Sequence, residues 1–149
     1  DYEMICKTSD YFSKRKIEGD SKTPIGLFEL GDLFYRSDRL EKPQTKLKII
    51  KISKSMGWCD DARDKSYNKL IQATKKRRYE KLFRKDYKYD LLIPIKYNFK
   101  KVIPYKGSAI FIHLTNNYQP TAGCIALSKK DFLILIKIIN KNTKIKILR

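Results

Sequence analysis

Apolar and polar positions alternate in short runs along most of this chain, and only one stretch carries the spacing of a helix. Ile25-Gly26-Leu27-Phe28-Glu29-Leu30 predicts a strand with Ile25, Leu27 and Glu29 on one face, entered through the turn-rich Glu18–Pro24. Pro24 holds Thr23 in extended geometry, which favours loop over helix there. Lys46–Ser53 (KLKIIKIS) nearly alternates, and its Ile49-Ile50 doublet marks either a bulge or a strand buried on both faces. Asp90–Ile95 (DLLIPI) reads as a strand whose Pro94 points to a sheet edge or a strand end, and Val102-Ile103 adds a little more sheet. Gly107–Ile112 is a further strand, and Lys144–Leu148 (KIKIL) closes the chain as another.

Helical spacing appears after Ser128-Lys129-Lys130-Asp131, which has the S-x-x-D form of a capping box. Phe132, Leu135, Ile136 and Ile139 then fall on one helix face, up to Asn140–Asn142. Asp64–Tyr87 is polar and basic, with scattered Tyr67, Leu70, Ile71, Tyr79, Leu82 and Phe83, and predicts a partly helical excursion covering one side of the sheet. Asp1–Ser13 reads as the tail of a strand that starts upstream, so an N-terminal strand is expected to be cut short. The whole pattern is mainly β with one helix, in one domain over 1–149, without internal repeats.

With 149 residues the chain can bury a core without disulfide or metal staples. Its apolar runs are far shorter than the roughly 20 residues that span a bilayer, which predicts a soluble domain. Thirty-four Lys and Arg against 16 Asp and Glu give a net charge of +18. That excess attracts polyanions such as nucleic acid or anionic envelope polymers, although scattered lysine among Ile, Asn and Tyr is equally a proteome-wide bias. A basic nucleic-acid-binding domain is one reading of this charge. Lys75-Lys76-Arg77-Arg78-Tyr79 has the look of such a patch, but a short charge run is usually a solvated helix face, and no nucleic-acid-binding signature accompanies it.

Three cysteines, Cys6, Cys59 and Cys124, leave at least one thiol unpaired. Lys106–Leu127 contains Cys124 and the sole histidine, His113, with the small, turn-permissive Pro120–Gly123 leading into the cysteine. An imidazole beside a thiol can take its proton for attack on an amide and return it to the leaving amine. On their own, however, the two residues read more readily as a buried inert thiol and a satisfied strand-end imidazole. A zinc site from His113, Cys59 and Cys124 would lack C-x-x-C spacing and a fourth ligand, and neither metal nor cofactor is expected. Asp60 and Asp61 are candidates either for orienting the base or for turn and cap roles.

Five segments in order carry a family resemblance: EGDSKTPIGLFEL (18–30), WCDDARDKSYNKLI (58–71), KYDLLIPIKYN (88–98), KGSAIFIHL (106–114) and PTAGCIAL (120–127). The chain resembles the L,D-transpeptidase catalytic domain, the YkuD-like family of peptidoglycan cross-linking enzymes. The resemblance implies a mainly β sandwich or barrel with one packed C-terminal helix. It makes Cys124 the nucleophile, His113 its base and Gly123 the support of the cysteine loop, with the Gly123 and Cys124 N–H groups as oxyanion donors. Thr121, Ala122, Tyr67, Asn68, Trp58 and Asp61 become candidate substrate-binding residues; for Tyr67 and Asn68 the alternative is loop packing.

The resemblance also implies donor and acceptor peptidoglycan stem peptides as partners, no specific nucleic acid, and a periplasmic or cell-envelope location. Transfer to water, giving an L,D-carboxypeptidase or endopeptidase, is the alternative within the same chemistry. Many members have Ser-His-Gly-Cys followed two residues later by an arginine. Here Ala122 precedes Gly123 and Ala126 stands at the arginine position. A substrate carboxylate must then be met from elsewhere, with Arg36, Arg39 or a lysine as candidates.

Overall fold

The structure, a computed structural model, describes residues 3–149. Its largest sheet has six strands: β1 (Cys6–Lys7), β12 (Ile125–Leu127), β11 (Phe111–Leu114), β10 (Leu91–Pro94), β5 (Leu33–Tyr35) and β6 (Ile49–Lys51), in that order across the sheet. β11 pairs with β12, and β5 with β6, in parallel; the other neighbours are antiparallel. Smaller sheets are β2 (Phe12–Ser13) with β3 (Thr23–Pro24), β4 (Gly26–Glu29) with β13 (Lys144–Ile147), and β8 (Leu70–Gln72) and β9 (Tyr79–Lys81) flanking β7 (Met56–Cys59). None of these sheets closes, so the architecture is mainly β without a barrel.

The period-2 pattern of the central strands divides the core in two. Leu91, Ile93, Ile112, Leu114, Ile125 and Leu127 face one side, where α1 (Lys129–Ile138) packs Phe132 and Ile136 against them. Leu92, Phe111 and Phe34 face the other side, covered by Trp58, Leu82 and Tyr89. Phe132 and Ile136 lose all solvent contact, which stabilises the fold by about 1.5–3 kcal/mol per side chain. Ser128 Oγ caps the helix by accepting from the Asp131 N–H at 3.2 Å, a contribution of about 1 kcal/mol.

Several sequence expectations change in detail. β10 is central and fully buried rather than an edge, with Pro94 as its last residue; there its missing N–H costs no ladder bond and its carbonyl accepts from Gly31 at 2.7 Å. The Ile49-Ile50 doublet serves both faces, Ile49 packing with the helix-side cluster and Ile50 with the other. On β4 the inward residue is Phe28, while Leu27 is 60% exposed. Val102-Ile103 lies in irregular chain before a turn, with Ile103 half exposed.

The largest difference is the 64–87 excursion, which contains no helix and supplies β8 and β9 instead. Only Ile71 of β8 turns inward, so its apolar pattern has the period of a strand. Gly57 on β7 lets β9 close over it, since a Cβ there would stand 2.5 Å from the Tyr79 ring.

Candidate active site

His113 sits on β11 and Cys124 immediately before β12, on the sheet face opposite α1. The parallel register sets His113 beside Ala126, so Cys124, two residues earlier, projects on the same face about 7 Å further along the strand. A bend at Gly123 delivers the cysteine. Its φ is +134°, and a Cβ would lie 2.7 Å from the Lys22 carbonyl, so the position is closed to any other residue without a shift in backbone. Thr121 fixes the bend through its hydroxyl, which donates to the Cys124 carbonyl at 2.6 Å and accepts from the Gly123 N–H at 3.2 Å. That second bond occupies one of the two N–H groups expected to receive an oxyanion, leaving the Cys124 N–H for that duty.

Cys124 lies where two cavities meet. One, of about 240 Å³, is lined by His113, Thr121, Arg84 and Lys88; the other, of about 190 Å³, by Lys16, Glu18, Asp60 and Ser108. Glu80, Tyr89, Ala122 and Cys124 border both. The Tyr89 hydroxyl donates to Glu80 Oε1 at 2.9 Å, so a hydrogen-bonded pair stands at the divide. The ring of Tyr89 packs edge-on to His113, with centroids 5.5 Å apart.

His113 and Cys124 are both uncharged at neutral pH. His113 is 8% exposed, and burial, with Lys88 and Arg84 nearby, holds its pKa below the ordinary imidazole value. Its Nδ1 lies 2.9 Å from the Leu114 carbonyl. A carbonyl only accepts, so Nδ1 carries the proton and Nε2 keeps its lone pair, the tautomer a general base needs. Burial pushes the Cys124 thiol up to about 11. Its sulfur accepts from the Phe111 N–H and donates to the Ala109 carbonyl, each at 3.4 Å; the imidazole is not among its hydrogen-bond partners. The group that orients the imidazole is therefore the Leu114 carbonyl, in place of Asp60 or Asp61.

Of the other residues singled out in the sequence, Thr121 and Ala122 line the cleft. Tyr67, Asn68 and Trp58 do not: they are buried behind it, at 2%, 4% and 4% exposure. Asn68 Oδ1 accepts from Trp58 Nε1 at 2.8 Å and from the Ala109 N–H at 3.1 Å, so it holds the residue whose carbonyl meets the thiol. The Tyr67 hydroxyl accepts from the Gly107 N–H at 3.0 Å and donates to Glu18 at 2.5 Å. Asp61 lies away from the cleft and binds Arg63. Sequence reasoning missed Glu80, Arg84, Lys88 and Tyr89 as cleft residues. Their polar, irregular surroundings carry no period that assigns them a face.

A family model described as YkuD, L,D-transpeptidase catalytic domain, matches residues 2–147. The chain belongs to this family. Neither a curated protein nor a solved structure matches it. As a YkuD domain, the chain departs from the common arginine position at Ala126, which is buried beside His113. Arg36 and Arg39 do not fill that place. Arg36 is buried over the Phe83 ring and forked onto Asp38, and Arg39 pairs with Asp90. The cations that line the His113 side of the cleft are Arg84 and Lys88. In the basic run, Arg77 is bidentate to Asp64 and Arg78 pairs with Asp60 at 3.4 Å, so half of its charge is internally matched.

Proposed function

We propose that this protein is a cysteine-dependent L,D-transpeptidase of peptidoglycan, active in the periplasm or cell envelope where that substrate lies. The observation that carries the reading is the convergence of Cys124 and His113 on one cleft from adjacent parallel strands, with the imidazole held in its Nε2-basic tautomer. Family membership supports the substrate class, peptidoglycan stem peptides, at a coarse level.

The chemistry starts from a neutral pair. A thiol held near 11 is almost wholly protonated at neutral pH, so attack requires the S–H to turn from the Ala109 carbonyl and is coupled to transfer of its proton to His113 Nε2. The sulfur adds to the carbonyl carbon of the third stem residue, and the negative oxygen meets the Cys124 N–H. The C–N bond then breaks, the leaving nitrogen of D-alanine takes the proton from the imidazolium, and the stem remains as a thioester on Cys124. An amine of a neighbouring stem adds to the thioester, gives its proton to His113, and displaces the thiolate, which recovers that proton. Because the acceptor amine gives its proton to His113, it enters the half of the cleft that D-alanine has vacated, and the second cavity is left to the donor stem.

Incubation with a tetrapeptide muropeptide is expected to add the donor mass, less D-alanine, to the intact protein, and Cys124→Ala to abolish it. No adduct in the wild-type protein, or one that survives the substitution, sinks the reading. Product analysis separates the acceptors: cross-linked dimer marks transpeptidation, and tripeptide alone marks hydrolysis.

A further inference from the structure

The two sides of Cys124 carry different charges, and only one holds the base. The group that departs on acylation must take its proton from His113, so the leaving residue sits in the half of the cleft lined by His113, Arg84 and Lys88. The two cations there are not equivalent. Arg84 Nε and Nη2 are both engaged by Asp86, at 2.9 and 2.5 Å, and Nη1 lies 3.5 Å from Glu80 Oε1. The guanidinium is thereby close to neutralised. The Lys88 ammonium has no ion pair or hydrogen bond among the described residues, while the Lys88 backbone is fixed by its N–H on Asp86 and its carbonyl on the Leu114 N–H. On the other side Lys16 is buried and paired with Asp20, Asp60 is met by Arg78, and Glu18 adds negative charge.

We infer that Lys88 is a specificity-determining residue whose ammonium binds the free α-carboxylate of the departing residue. The assignment rests on the acyl-transfer reading above. It gives the substrate carboxylate a partner on the wall of the cleft, where the buried Ala126 beside His113 supplies none. When the scissile C–N bond breaks, its electron pair stays on the leaving nitrogen, and that nitrogen takes the proton held by His113. The carboxylate keeps its charge throughout and leaves with the amine.

The experiment compares a stem tetrapeptide ending in D-alanine with the same peptide ending in D-alaninamide, for the wild-type protein, Lys88→Met and Lys88→Arg. The wild type is expected to prefer the free acid by about tenfold in kcat/KM, Lys88→Met to lose that preference, and Lys88→Arg to keep it. A merely structural loss lowers both rates together and leaves their ratio unchanged. A Lys88→Met protein that retains the preference, or a wild type that turns over both peptides equally, overturns the assignment of Lys88 and leaves the acyl-transfer reading standing. A wild type inert toward both peptides overturns that reading, and the assignment with it.

Discussion

The floor and the wall of the cleft are built differently. The floor is β11, β12 and the Thr121–Cys124 bend, where strand pairing, a glycine at φ +134° and two threonine hydrogen bonds fix the reacting groups. The wall, residues 64–88, pairs its short β8 and β9 with β7, and its irregular remainder is held by side-chain ion pairs such as Arg77 with Asp64 and Arg84 with Asp86. Backbone pairing tolerates little displacement, whereas partly exposed ion pairs contribute modestly and can be exchanged. On the proposed reading, chemistry therefore belongs to the floor and substrate choice to the wall. Substitutions in the floor should lower kcat, and those in the wall should act mainly on KM and selectivity.

The largest effect is expected from Cys124→Ala, which removes the proposed nucleophile and should lower turnover by roughly 10⁴-fold or more without unfolding the domain. Steady-state rates alongside a melting curve check this. Residual activity near wild type would move the chemistry off the floor.

The pH dependence of alkylation probes the same group at rest. With the thiol held near 11, the thiolate fraction, and so the iodoacetamide rate at Cys124, should rise about tenfold per pH unit from neutrality until it levels near that value. The sign follows from burial, which disfavours the charged form and so raises a thiol's pKa. A plateau near neutrality would instead mark a thiolate–imidazolium pair already present without substrate.

Gly123→Ala should follow. It forces a Cβ toward the Lys22 carbonyl in a left-handed backbone, at about 1–3 kcal/mol of strain, and a displaced Cys124 should lose about 10²-fold in kcat. Thr121→Val keeps the shape but removes both hydrogen bonds at the bend; about 1–2 kcal/mol of stability and a smaller fall in kcat are expected from chemical denaturation and kinetics. Arg77→Ala, in the wall, should cost about 1 kcal/mol at most and leave kcat unchanged. A large fall in kcat there would erase the distinction between the two regions.

Much of this was legible in the residues. Ser128-Lys129-Lys130-Asp131 and the spacing of Phe132 and Ile136 mark the helix, because capping and amphipathic spacing are local. The strand leading to His113 was legible for the same reason, β12 after Cys124 was not read as a strand, and the ordered motifs singled out the pair. The 64–87 stretch was not, since its apolar residues are too sparse to separate a helix from short strands until β7 offers a partner and Gly57 the room.

Residue type and short-range periodicity are properties of neighbouring positions, and they sufficed to indicate a mainly β fold with one helix, while the ordered family motifs were needed to single out Cys124 and His113. What brings those two residues together came from long-range packing. Parallel pairing of β11 with β12 brought Cys124 and His113 to one face. Packing of the wall left Lys88 in the cleft, while Tyr67, Asn68 and Trp58 went behind it. Those outcomes depend on contacts between segments far apart in the chain, which no local pattern encodes.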